Sequence, residues 1–502
     1  MSAIASLIKG GAWLTLANLV SKLASALVLP LLARLLGPEA LGIYSIVSSL
    51  AQSAQGFSTL GADIAMHRNG AQYKTIGTEA VGRLFGVGLS IICLVSAVTG
   101  LGVWFFREPL AQYWLGQPDV TPWLGAAALL SVLQPFSNIP LLFLASLQDF
   151  RAYALRSSVE MIFTSAFTVL LAWKWGLAGA ALGLVLAEIA QIPWSYFVAK
   201  PVLQARGIRL RFDRFWQECY SILKFGFPYY FGNTLLGSLV TLPVMGLVSQ
   251  YGGLEELGYL RVAQSMAALI GFIPSAIAPA AISYLSSSSV ADKESYQYLK
   301  SVHLRSVWIL LLLSISAVCL LIPNLLNLLF GYAYQSANIL SIVSLWISLL
   351  IGVTSVLVQY LVADGKTVRI AVISTLGIAF FVSSAFMLVP LYHALGFLIA
   401  QIIGQIVGLP FVIYPAVNGL KKENLNLLKN LFFITILSIF YTLFFHWLIL
   451  GTFSIWALSI VSVIILSLLV FFTGLLSSEK ALMKKMILSL KDKIKDGLTK
   501  KQ

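Results

Sequence analysis

Apolar runs long enough to cross a bilayer follow one another from about residue 11 to about residue 476, joined by short polar links. Each approaches the roughly 20 residues that a membrane helix requires. The pattern predicts about fourteen helical spans, near 11–36, 38–59, 80–106, 121–147, 155–173, 176–199, 221–250, 257–285, 302–330, 336–363, 368–388, 393–418, 427–448 and 453–476. Barrel strands would alternate polar and apolar residues instead. The longest link, 200–220, is too short for a soluble domain, so any chemistry belongs within the membrane or at its faces. The first run continues well past signal-peptide length and has no small-residue cleavage site, so it is expected to remain as a membrane helix.

The polar links differ by face. With the N-terminus in the cytoplasm, 28 of the 33 Lys and Arg fall in the cytoplasmic links and the tail. The opposite face receives Arg34, Arg107 and Lys174, while Lys22 and Arg261 lie within spans. This asymmetry places both termini in the cytoplasm. The tail "EKALMKKMILSLKDKIKDG" sets Leu482, Met486, Leu490 and Ile494 at four-residue spacing opposite its lysines. That is the pattern of a basic helix on the cytoplasmic leaflet, or else of a solvated tail.

Two pairs of segments point to an internal duplication. "LLGPEALGIYS" (35–45) has a counterpart in "YGGLEELGYLR" (251–261), and "LGLVLAEI" (182–189) matches "LGFLIAQI" (395–402) without a gap. The second match has an offset of 213, which also carries Pro30 onto Pro243 and pairs Glu188 with Gln401. A repeated unit of six spans starts and ends on the same face, giving parallel lobes related by an axis along the membrane normal. The expected organisation is a lobe over 1–205, a second over 206–420, helices 13 and 14 over 421–476, and the basic tail over 477–502. Sites in such proteins lie between the lobes at mid-depth.

Composition sharpens this picture. The chain is 502 residues long, 59% hydrophobic and only 10% charged; soluble domains carry about 25% charged residues. The net charge of +14 is explained by loops facing anionic lipid and calls for no nucleic acid. Cys93, Cys219 and Cys319 are far apart, so neither a disulfide framework nor a zinc site is indicated.

The chemistry rests on a few charges in apolar surroundings. Lys22 lies about 16 Å into the first span at 1.5 Å per residue, near mid-bilayer, with Asn18 one turn earlier on the same face. A centred lysine costs about 2.5–3.5 kcal/mol on insertion scales, so it should face protein or a watery cavity. A structural pair with Glu188 is the competing reading. Glu188 is itself at mid-depth in span six, as a proton or cation relay or as the partner of a nearby cation. Arg261 starts span eight and either lines a cavity or snorkels; Arg34, at the outer end of span one, has snorkelling as its simplest reading. Together these cations suggest a positive lumen suited to an anionic cargo, above all phosphate. Pro30, Pro228, Pro243, Pro274 and Pro279 lie in or near spans and provide either hinges or static kinks.

Other chemistry is missing its motifs. "ADGKT" (363–367) lacks the leading glycine of a phosphate-binding loop, since position 360 is Tyr. His67, His303, His393 and His446 have no ligand spacing. No cofactor is called for. Glu39, Glu108, Asp119, Glu255 and Glu256 are the external carboxylates available to a sugar transferase, all in short links.

The opening "KGGAWLTLANLVSKLASALVLPLLARLLGPEALGIYSI" (9–46) resembles the N-terminus of bacterial polysaccharide-precursor flippases. These are the O-antigen and capsule repeat-unit translocators of the multidrug/oligosaccharidyl-lipid/polysaccharide exporter superfamily. "FDRFWQECYSILKFGFPYY" (212–230) is similar to that family's entry into span seven. The resemblance implies two six-helix lobes in a V around a cationic cavity. It also implies transport of an undecaprenyl-diphosphate-linked oligosaccharide from the inner to the outer leaflet of the bacterial cytoplasmic membrane. Lys22 matches the family's span-one cation, and Arg261 its span-eight cation. Span one contains no aspartate, a departure from the superfamily's drug and sodium-coupled exporters.

The expectation is therefore an all-α polytopic membrane protein, two six-helix lobes plus two C-terminal helices, and a transporter rather than an enzyme. Lys22, Arg261, Arg34 and Asn18 are its expected substrate contacts and Glu188 its coupling residue. Expected partners are the polyprenyl-diphosphate carrier, membrane lipids and a polysaccharide polymerase. The rival readings are a cation-coupled exporter of small molecules, a membrane-embedded glycosyltransferase or polymerase, and a scaffold without transport.

Overall fold

A computed structural model describes residues 3–71, 77–147, 149–230, 236–291, 293–363, 367–417 and 422–448. The described chain is helical almost throughout, with no strand among these residues. The helices are α1 Ala3–Ser58, α2 Ala62–Ala71, α3 Thr78–Phe105, α4 Thr121–Ser146, α5 Phe150–Ala205 and α6 Phe215–Tyr230. There follow α7 Leu236–Ala291, α8 Lys293–Leu329, α9 Asn338–Ala363, α10 Thr367–Val417 and α11 Lys422–Leu448.

Eight described stretches are long and apolar enough to cross a membrane. Two of them are double. α5 breaks at Trp175 and Gly176 and folds back, so that Gly179 packs on Leu171; α10 breaks at His393, and Gly396 packs on Leu388. α1 and α7 break at Gly37 and Gly253. All four breaks fall where the hydrophobic pattern ends one span and starts the next. The chain turns at Gly37, Gly176, Gly253 and His393, all with positive φ, and not at the prolines: Pro30, Pro228, Pro243, Pro274 and Pro279 lie within continuous helix. The fourteenth expected span, 453–476, and the basic tail lie outside the described residues.

The four breaks also fix the register of the repeat. Gly37 and Gly253 differ by 216 positions; Gly179 and Gly396, each packed on the carbonyl of a residue eight positions earlier, differ by 217. The offset of 213 read from sequence is therefore one helical turn short, and Glu188 corresponds to Gln405 rather than to Gln401.

Contacts group the chain into two compact units, one of 1–272, 324–347 and 366–412, the other of 273–323, 348–365 and 413–502. The largest core of the first unit gathers Ile46, Val47, Leu115, Leu124, Val248 and Leu257 with Val389 and Leu398. It thus draws on both copies of the repeat, at the end the charge rule assigns to the outer face. In the second unit the Tyr360 hydroxyl donates to the Lys300 carbonyl at 2.8 Å and lies 3.1 Å from His303 Nδ1. The Lys300 ammonium rests 4.3 Å from the centre of the Tyr296 ring.

The link between the copies is strapped to the first one. Arg83 on α3 holds Asp213 at 3.5 Å and Glu218 at 3.4 Å, and Arg211 holds Glu79 at 2.9 Å. The Arg211 amide also donates to the Gly82 carbonyl at 3.0 Å. On α6, Ile222 is buried and Cys219 and Phe215 pack beside it, while Trp216 and Tyr220 stay exposed.

Candidate functional site

Among the described residues, a buried network of charged and polar side chains lies in the hairpin of α5 against α4. The Asp149 side chain caps α5 by accepting from the Ala152 amide at 3.2 Å. One turn later the helix carries Arg156, whose side chain is 0% exposed. A guanidinium cannot be buried bare, because desolvation costs several kcal/mol per ion unless partners repay it. Arg156 has those partners. Its Nε donates to Ser195 Oγ at 2.9 Å, and its Nη atoms reach Glu160, the Ser137 carbonyl and Asn138 Oδ1.

Glu188, on the returning arm of α5, accepts from Ser137 Oγ at 2.6 Å and is 8% exposed. It lies close enough to Glu160 and Arg156 to feel both charges. Gln191, fully buried, donates to Thr164 Oγ1 at 3.0 Å and weakly to the Glu160 carbonyl. One guanidinium thus pairs with Glu160, while Glu188 is held by Ser137 within reach of that pair's field. On the same two helices Gln191 Oε1, Gln134 Oε1, Thr168 Oγ1, Ser165 Oγ and Trp194 Nε1 are buried without a hydrogen-bond partner among the described residues, and native interiors leave few such atoms.

The residues expected from sequence go to different places. Lys22 and Asn18 lie on α1 in a segment whose side chains are outside the described residues. Arg34 is exposed and donates from Nε to the Leu329 carbonyl at 2.9 Å, and from Nη2 to that of Leu328, holding the C-terminus of α8. That is where a helix end offers unpaired carbonyls to a cation. Arg261 follows the Gly253 break on α7; its Nε is buried without a hydrogen-bond partner among the described residues, and its charge reaches the buried Tyr44. Among the described residues no hydrogen bond or ion pair joins Arg34, Arg261 and Glu188.

Sequence reasoning missed Arg156 and Glu160. It assigned Arg156 to the cytoplasmic face, where the structure buries it. The signal was present: Arg156 and Glu160 are one turn apart at the start of a span, and Gln191 and Ser195 are one turn apart on the returning arm.

A multi-pass bundle of helical hairpins in two copies, with charged groups buried between helices, defines a membrane transporter fold. The chain belongs to the polysaccharide biosynthesis protein family, which matches residues 7–289. It is 23% identical over 354 residues to a Shigella flexneri protein described as an O-antigen transporter, covering 67% of this chain and 80% of that one. It is 24% identical over 241 residues to the succinoglycan biosynthesis transport protein ExoT of Rhizobium meliloti, covering 48% of this chain and 45% of that one. Among solved structures, the lipid II flippase MurJ in an inward closed conformation matches with a TM-score of 0.71 at 14% identity, over 90% of this chain and 96% of that one. The multidrug transporter DinF-BH matches at 0.60 and 16%, over 84% and 98%.

Proposed function

We propose that this protein is a flippase. It carries a polyprenyl-diphosphate-linked oligosaccharide from the cytoplasmic to the outer leaflet of the bacterial cytoplasmic membrane by alternating access, with both termini in the cytoplasm. One observation carries the reading: a chain of a polysaccharide biosynthesis family is built of membrane helices and short links, leaving translocation as its step. The relatives described as transporters support it, and the fold shared with a lipid II flippase is compatible with it.

In this reading the cargo's diphosphate meets Lys22, with Asn18 one turn away, and Arg261, whose Nε has no hydrogen-bond partner among the described residues. Arg34 adds its charge beside the end of α8 that it holds. The sugar crosses between the lobes in water while the polyprenyl tail stays in lipid. Glu188, held by Ser137 beside the Arg156–Glu160 pair, is the site where an ion or proton couples to the motion. A polymerase then takes up the unit on the outer face.

The test is extraction of polyprenyl-linked glycans from cells lacking the protein. A completed unit should build up on the cytoplasmic leaflet; an unchanged glycan pool would overturn the reading. Lys22→Ala should abolish surface glycan while Lys22→Arg keeps part of it, at equal abundance in the membrane. A second reading, a cation-coupled exporter of small molecules, is favoured by the buried carboxylates and the DinF-BH fold. It expects cells lacking the protein to become sensitive to toxic compounds with lipid-linked sugars unchanged.

A further inference from the structure

The two segments that first betrayed the repeat touch each other. A Cβ placed on Gly42 would lie 1.9 Å from the Leu254 carbonyl oxygen and 3.3 Å from the Gly258 nitrogen. A Cβ placed on Gly258 would lie 2.0 Å from the Pro38 carbonyl oxygen and 3.1 Å from its Cα. At the offset of 216, Pro38 corresponds to Leu254 and Gly42 to Gly258, so the contact is reciprocal: each copy's glycine seats the other copy's carbonyl. Leu41 and Leu257, also equivalent, are 0% and 1% exposed beside it. Each segment is aimed by a glycine with φ near +80°, Gly37 at +78° and Gly253 at +83°.

Reciprocal contacts between equivalent residues occur only where a two-fold axis passes, as at an isologous interface. The axis relating these copies runs along the membrane normal, and in the transport reading the cargo path follows it between the lobes. The joint therefore lies across that path. Backbone meets backbone here, the carbonyls of Pro38 and Leu254 lying against the opposite glycines, contacts individually weaker than an N–H···O hydrogen bond. No hydrogen bond or ion pair among the described residues links 37–42 to 253–258. Such a joint closes tightly when aligned and parts at little cost when the copies rotate.

We propose that the paired segments 37–42 and 253–258 are the gate that closes the cargo path at the outer face, and that Gly42 and Gly258 are required because closure is backbone on backbone. The proposal rests on the transport reading, but its test can fail separately. Spin labels on Glu39→Cys and Glu255→Cys, two exposed equivalents, are placed in a background with Cys93, Cys219 and Cys319 replaced. Pulsed EPR in liposomes should give a short-distance population and a longer one. Gly42→Val and Gly258→Val should each deplete the short population and abolish surface glycan. Gly102→Val, at a helical glycine with open space around it, should do neither. A single short distance in the parent protein would overturn the proposal even if the valine variants fail to fold, and so would folded valine variants with parental distances or normal surface glycan. If loss of the protein leaves lipid-linked glycans untouched while the two distances persist, the transport reading falls and the moving joint stands.

Discussion

The hairpin of α5 and its counterpart in α10 share a backbone plan and differ in what holds their arms together. In α5 the arms meet through Arg156, Glu160, Gln191 and Ser195. At the offset of 217 these positions become Ile373, Gly377, Gly408 and Val412 in α10. There the arms meet through glycine: a Cβ on Gly404 would lie 2.7 Å from the Gly377 carbonyl oxygen, and one on Gly408 would lie 3.5 Å from Ile373 Cγ2. Close packing of small residues is the inexpensive way to join membrane helices. A buried ionic network is the costly one, and is weak evidence of a stabilising role. With the costly joint at one of two equivalent positions and the simple joint at the other, stability alone gives no reason for the first. Coupling is the use proposed above for Glu188.

The comparison breaks most sharply at Arg156. Arg156→Ala leaves the half-buried Glu160 without its ion-pair partner and the buried Glu188 without a nearby cation, and should destabilise by about 3 kcal/mol, read as lost membrane abundance and a lower unfolding temperature in detergent. Arg156→Met with Glu160→Met should regain most of that stability, as an apolar joint does in α10, yet still lack surface glycan. A double variant with full transport would reduce the network to packing.

A smaller effect is expected on the other hairpin. Gly404→Val forces a side chain against Gly377 and Phe381, and overpacking of this kind costs about 1–3 kcal/mol. Thermal unfolding should fall while the variant that remains folded still transports. The matching substitution at Gln405→Ala, equivalent to Glu188, should leave surface glycan intact, whereas Glu188→Ala removes it. The smallest change should come from Arg34→Gln. It loses a cation at the C-terminus of α8, worth about 0.3–1 kcal/mol at an exposed site, and should shift unfolding slightly. Loss of all transport at unchanged stability would instead place Arg34 on the cargo.

The fold was legible because a bilayer imposes its thickness on the sequence: apolar runs of span length admit few readings other than membrane helices. The turns at Gly37, Gly176, Gly253 and His393 fell where those runs divide. The register of the second repeat pair was misread by four residues, one helical turn. A slip of one turn preserves the face each residue presents, and apolar letters recur often enough to reward it. Lys22 and Glu188 stood out as charges in mid-run. Arg156 did not, because near the end of a run a basic residue reads as a cytoplasmic anchor, and besides Glu160 the groups that accept its hydrogen bonds come from Ser137 on α4 and from Ser195, 39 positions along the chain. Burial created by a hairpin is visible only once the hairpin is closed.

The strap at Arg83 and Arg211 has a mechanical corollary. Because residues 211–218 are riveted to α3 at Glu79, Gly82 and Arg83, this stretch of the leash between the copies travels with α3 as one piece. The first copy carries the leash's near end as fixed cargo of its own.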